Sequence, residues 1–201
     1  MPKKTQELAD ALAGHEWQIG MLETPCVAPG HFLCGCFLPW CTAFKQREEI
    51  LDIVGEPYVC CGGGCPCCGL NKPCPDGMDK VCLAVEVCCC PVVAVTTNRY
   101  YIQTRFGREN SACDDCIITV TAILQCLSCI ISCFAACFCP ELSDLAQFLD
   151  IIADCAQCVC MGCMYAQQDA ELEFLANRPY NGPPANVRRM LPPDQQQMLT
   201  R

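Results

Sequence analysis

Basic charge is scarce in this sequence. There are 13 Lys and Arg against 22 Asp and Glu, for a net charge of −9 and a pI near 4.6. A chain with no surplus of positive charge has little to offer a phosphate backbone, so nucleic acid is not an expected partner. Histidine is scarcer still, at two residues, His15 and His31. Cys–His catalysis needs a base held against one thiol, and nothing marks either histidine for that role. The glycine run at 62–64 lacks the lysine of a phosphate-binding loop. No enzyme activity and no catalytic residue is expected. The opening MPKKTQELADALAGHEW has two lysines but neither an apolar core nor a small-residue cleavage site, so no secretion signal is expected there.

What the sequence has in excess is cysteine, 25 residues of 201. Such density marks either a secreted disulfide scaffold or a reduced chain using thiols as metal ligands and small core residues. An odd number cannot pair completely within one chain. With no secretion signal expected, reduced, cytosol-facing thiols are favoured over a disulfide framework. Apolar residues make up 52% and charged residues 17%, with a mean hydropathy of +0.23. That balance argues against disorder and for one small domain with a modest core.

Along the chain, residues 1–16 read as a short polar helix with Trp17 as the anchor of that end. Residues 25–45 form a stretch broken by Cys, Gly and Pro. A short charged helix follows at 46–54 and stops at Gly55 with Pro57 beyond. The segment CCGGGCPCCGLNKPCPDG at 60–77 holds six cysteines, five glycines and three prolines. It has almost no aliphatic side chain with which to pack, so order there requires a metal or crosslinks. Residues 81–97 are apolar and valine-rich, interrupted at Glu86 and Pro91. From Cys116 to Cys139 no charge occurs over 24 residues, long enough to cross a bilayer as a helix. Pro140 ends that run, one or two further helices follow, and residues 177–201 read as a Pro-rich extended tail.

The cysteines fall into groups. Zinc takes four thiolate or imidazole ligands in a tetrahedron, usually from close pairs. The doublets and C-x-C of Cys60, Cys61, Cys65, Cys67, Cys68 and Cys74 suit such a site, with disulfide staples as the alternative. Cys34, Cys36 and Cys41 form a second group near His31. Cys113 with Cys116 is a C-x-x-C pair, and Cys155, Cys158, Cys160 and Cys163 make a fourth group. Cys126, Cys129, Cys133 and Cys137 recur at spacings of three and four, which places them on one helical face. That stripe reads first as a close-packing surface, second as a lipid-facing one. Asp114 and Asp115, just before the apolar run, suit a helix N-terminus.

Several blocks, in order, resemble the placenta-specific-eight cysteine-rich family, which includes onzin, cornifelin and the plant cadmium-resistance and fruit-weight proteins. Trp17-Gln18-Ile19-Gly20-Met21 resembles its opening W-Q-x-G-M. Leu33 to Phe44 resembles its first cysteine core, and Cys60 to Gly64 takes the place of its next doublet. The segment from Arg99 to Cys116 carries the family's arginine-aromatic-glycine and C-x-D elements as Arg105, Phe106, Gly107, Cys113, Asp114 and Asp115. Cys160, Cys163 and Gln167 resemble the closing element. The chain departs from the pattern in two insertions, near 65–92 and 117–154, and lacks a cysteine at Leu38 to Cys41 and at Ala166. The family domain would cover 17–176. The resemblance implies association with membranes, often the plasma membrane, handling of zinc- or cadmium-like metals, and no common catalytic activity.

The expectation is therefore a mainly α protein with irregular cysteine-rich loops and one or two membrane-associated helices. It would bind zinc or another soft divalent metal, with membrane lipid or protein subunits as partners and a homo-oligomer as one arrangement. A structural subunit of a larger assembly, its fold held by zinc or disulfides, is the alternative.

Overall fold

A computed structural model describes residues 16–63, 74, 77–191 and 195–196. The expected helix at 1–16, Cys65, Cys67, Cys68 and the end of the tail lie outside the described residues. Among those described there are eight α-helices and no strand: α1 (Thr24–Val27), α2 (Pro29–Phe37), α3 (Pro39–Val54), α4 (Asp79–Cys89), α5 (Pro91–Phe106), α6 (Ala112–Cys137), α7 (Ser143–Leu175) and α8 (Ala185–Arg188).

Proline sets the corners. Clash with the proline ring drives the preceding residue out of the α region, while proline's own fixed φ suits the first position of the next helix. Ala28, Leu38, Cys90 and Cys139 each precede a proline and take φ between −129° and −144° with ψ between 49° and 82°. Three of these steps separate helices directly: α1 from α2, α2 from α3, and α4 from α5, the last pair meeting at 119°. The stretch 25–45, expected to be broken, is thus helical on both sides of each break. The helix expected at 46–54 begins earlier, at Pro39, and ends as expected at Gly55, which takes the left-handed conformation (φ 70°).

The long apolar run becomes α6, capped by Ser111, whose hydroxyl accepts from the Asp114 amide. Asp114 itself is turned inward instead of capping. The tail is not extended throughout: it turns once in α8 and buries Val187, Leu191 and Gln195.

Helices α6 and α7 form an antiparallel hairpin. Buried residues on α6 step by seven, Asp114, Thr121, Ser128 and Ala135, and those on α7 include Ala146, Ala153, Cys160 and Gln167 at the same step. A seven-residue repeat keeps one seam facing the partner helix, and small residues let the axes approach. Gln167 donates to Asp114 at 3.1 Å, Cys160 meets Thr121, and Ser132 donates to Asp150 at 2.9 Å. The Cys126, Cys129, Cys133 and Cys137 stripe lies elsewhere, exposed to the outside. The expected close-packing role belongs to the serine, threonine and alanine seam instead.

The other crossing is at glycine. A Cβ on Gly35 of α2 would stand 2.8 Å from the Tyr165 Cβ, and one on Gly162 would stand 2.4 Å from the Cys36 sulfur.

Three buried arginines, Arg47, Arg99 and Arg105, and the partly buried Arg108 tie the helices together at the end opposite the α6–α7 tip. Arg105 grips Glu56 through two bonds at 2.7 and 2.8 Å, Arg108 pairs with Glu171 at 2.7 Å, Arg47 with Glu86 at 3.3 Å and Arg99 with Asp114 at 3.6 Å. Tyr101 lies between two of them, with the Arg47 and Arg105 guanidiniums 5.2 and 5.0 Å from its ring centre. Removing one partner of a buried pair strands the other charge, at a cost of about 3–5 kcal/mol. Arg105→Met is therefore expected to lower stability by about that amount in denaturant unfolding, and Gly35→Ala by about 1–3 kcal/mol through overpacking. An unfolding curve unchanged by Arg105→Met would show that the Glu56 pair is dispensable.

Candidate metal centre

The site is built on a left-handed turn. Cys61, Gly62 and Gly63 have φ of 50°, 60° and 76° in succession. Glycine takes this region freely, whereas cysteine does so at a cost of order 1 kcal/mol. The gain is visible in the hydrogen bonds: the turn aims the Cys61 amide at the Glu86 Oε2, 2.7 Å away. Gly62 is also required by space, since a Cβ there would stand 2.9 Å from the Thr97 methyl.

Cys60, Cys61 and Glu86 present ligand atoms within 4.8 Å of one another. The two sulfurs are 3.8 Å apart. With Zn–S of about 2.3 Å, two sulfurs of a tetrahedral zinc stand about 3.8 Å apart, so the pair has the separation one ion requires. Two further thiols gather here. Cys74 is hydrogen-bonded to Cys82 and close to Cys60, and its backbone amide reaches the Tyr58 carbonyl at 3.4 Å. Within the cluster itself, two sulfurs and one carboxylate form a partial donor set suited to soft divalent cations.

Glu86 has other partners. Its Oε2 accepts from the Tyr58 hydroxyl at 2.7 Å as well as from Cys61, and its Oε1 faces Arg47. Burial, together with the bond to this carboxylate, pushes the Tyr58 phenol well up, so it stays a donor. The carboxylate is therefore oriented by three groups at once, as expected of a residue that steadies a thiolate site from its edge. An acidic cleft of about 420 Å³, bordered by Glu48, Asp52, Glu56 and Asp79 with Lys80, opens beside Tyr58 and offers cations an approach.

The sequence-derived candidates fall in different places. Cys60 and Cys61 come together with Glu86, while Cys74 pairs with Cys82 nearby, outside that cluster. Cys65, Cys67 and Cys68 lie outside the described residues. Cys34 and Cys41 line one cleft with His31, whose ring bonds Asp169 at 2.8 Å, but the described residues contain no other ligand cluster as tight as the first. Cys36 faces Cys158 across the α2–α7 crossing, where burial and the Cys158 thiol push it up to about 11. Cys113, Cys116 and Cys155 are exposed, while Cys160 and Cys163 are buried against Thr121 and Thr24. Glu86 is the member of the cluster that the sequence pattern did not point to, because within its own segment it reads only as a polar interruption of a valine-rich run.

No family model, curated protein or solved structure matches this chain. The site's meaning rests on its own chemistry.

Thiols bind metal as thiolates, so ligation by Cys60 and Cys61 releases protons. Raising pH from 6 to 8 is thus expected to tighten binding of Zn²⁺ or Cd²⁺, by about tenfold per unit for each proton released. Competition titration with a chromophoric chelator at fixed ionic strength reads this. Cys60→Ser and Cys61→Ser should each weaken binding by at least about tenfold, and equal affinity across wild type and both variants would place the metal elsewhere.

Proposed function

We propose that this protein is a membrane-anchored binder of soft divalent metal, with its thiol site in a polar-cored base and its α6–α7 hairpin in the bilayer. The observation that carries the metal reading is the 3.8 Å pair of vicinal sulfurs beside the oriented Glu86 carboxylate. The resemblance to the placenta-specific-eight family agrees with both halves of the proposal.

Two helices are long and apolar enough to cross a membrane, Ala112–Cys137 and the segment Pro140–Leu175. Beyond the base, from Thr121 to the end of α6 and from the start of α7 to Cys160, each arm extends about 25–27 Å at 1.5 Å per residue. A hydrocarbon core is about 30 Å thick. The outward surface of these arms carries Ile123, Leu127, Ile130, Phe134, Phe148 and Ile151, all exposed. An aspartate at the centre of a span costs about 3 kcal/mol, and Ser128 and Ser132 offset that for Asp150 by donating to its carboxylate. Glu141 and Asp144 at the tip supply charge for a far aqueous layer. Residues 109–177 contain no Lys or Arg. The positive charges that set orientation therefore lie in the base, which favours a cytosolic base.

The Arg47–Glu86 pair supports a second reading, that the metal holds the fold of a scaffold subunit. One preparation separates the two. Protein purified in mild detergent with reductant is expected to carry at least one zinc per chain, with the site thiols titratable only after chelation. Stripping the metal while circular dichroism keeps its helical signal supports metal handling; loss of that signal supports the scaffold role. No metal with all thiols titratable would sink both. As a test of the anchor, an epitope inserted between Cys139 and Ser143 should be accessible from the membrane face opposite to one at the C-terminus. Both epitopes on the same face would rule out a spanning hairpin.

A further inference from the structure

Three consecutive thiols, Cys88, Cys89 and Cys90, occupy the corner between α4 and α5, and all are exposed. They belong neither to the metal centre nor to any packed seam. The corner is sharp, 119°, and exposed Val81, Val85, Val92 and Val93 flank it. An exposed apolar corner crowded with thiols is out of place on a water-facing surface.

Its height in the fold is set by the contacts of the helices. Helices α3, α5 and the base half of α7 run in the same direction. The Ala43 carbonyl accepts from Asn98 while Glu56 meets Arg105, and the Val95 carbonyl accepts from Gln168 while Arg108 meets Glu171. The α3 and α5 N-termini therefore both point toward the hairpin. Cys90, five residues before Val95, is level with about residue 163 of α7. The neighbouring α2–α3 corner is pinned to the same zone by the contact of Cys36 with Cys158, and it too exposes Phe37, Leu38 and Trp40. Both corners thus lie where the base meets the proposed bilayer surface.

We infer that Cys88, Cys89 and Cys90 are sites of S-acylation by long-chain fatty acid, at the rim where the base meets the membrane. This rests on the membrane-anchor reading above. A cysteine beside a membrane segment meets both requirements of the modification: the thiol reaches water and the donor's thioester, and the product chain lies beside lipid. In the reaction the cysteine sulfur attacks the carbonyl carbon of a long-chain acyl-CoA. The new S–acyl bond forms as the CoA thioester bond breaks, and coenzyme A leaves as its thiol with the cysteine proton. No electron transfer is involved. Cys126, Cys129 and Cys133 are equally exposed but lie along the hairpin, at bilayer depth, and are not acylated. Acylation at the rim would press the α4–α5 corner against the membrane and fix the base relative to the surface.

The test uses the full chain expressed in eukaryotic cells fed an alkyne fatty acid, with carbonate extraction run on the same membranes. Wild type should incorporate label that hydroxylamine removes. Cys88→Ser/Cys89→Ser/Cys90→Ser should lose that label, and Cys126→Ser/Cys129→Ser/Cys133→Ser should keep it. Both variants should remain in the carbonate-resistant fraction, held by the hairpin. Absence of hydroxylamine-sensitive label on wild type overturns the inference, as does label retained by the 88–90 variant. Wild type released by carbonate would instead bring down the membrane anchor, whatever the labelling shows.

Discussion

Three buried arginines, and a fourth that is partly buried, each have a carboxylate, and this pairing organises the base. Glu56, Glu86, Asp114 and Glu171 come from a loop and from α4, α6 and α7, while their partners Arg47, Arg99, Arg105 and Arg108 come from α3, α5 and the loop after it. The charge pairs sit among large buried apolar side chains such as Tyr101, Ile102, Tyr165 and Leu172, and they dictate the geometry of that packing. Each pair is a distance constraint between elements, and a buried ion left without its partner is far costlier than a lost methyl group. Glu86 also belongs to the candidate metal cluster, so the same carboxylate serves the Arg47 pair and the Cys60–Cys61 turn.

The blocks that resemble the placenta-specific-eight family take on a structural meaning here. Trp17 lies under Arg99, 4.4 Å from its guanidinium, the Gln18 amide reaches Glu171, and the Met21 amide reaches Asp114. Gln167 bridges Arg99, Asp114 and the Ile19 carbonyl. Gly107 takes φ 69° and sits where a Cβ would strike Pro184 at 2.8 Å. These residues bind the N-terminal segment, α5, α6 and α7 into one unit. They are the fasteners of the fold, and the thiol chemistry sits apart from them at the 60–61 turn.

The molecule divides into a polar-cored base and an apolar periphery. The hairpin arms meet through a narrow small-residue seam and leave their large side chains outward, an arrangement that is unfavourable in water and natural in lipid. The cysteines follow the same division: Cys126, Cys129, Cys133 and Cys137 face outward with the isoleucines and phenylalanines, while the half-buried Cys60 and Cys61 sit at the base beside the Glu86 carboxylate.

How much of this was readable without coordinates follows from the range of the interactions. Local chemistry determined several breaks: the glycine stop at 55, the interruptions at Pro91 and Pro140, and an uncharged run of bilayer length after Cys116 were all visible because steric and hydropathic effects act between near neighbours. The mainly α class and the doublet at 60–61 were visible for the same reason. Only the tertiary structure decided that Glu86 joins that doublet, that Asp114 points inward to Arg99, and that the 126–137 cysteine stripe faces out while Thr121, Ser128 and Ala135 face in. Those outcomes depend on which faces the buried charge pairs bring together, and no pattern within a single segment records the position of a partner contributed by another.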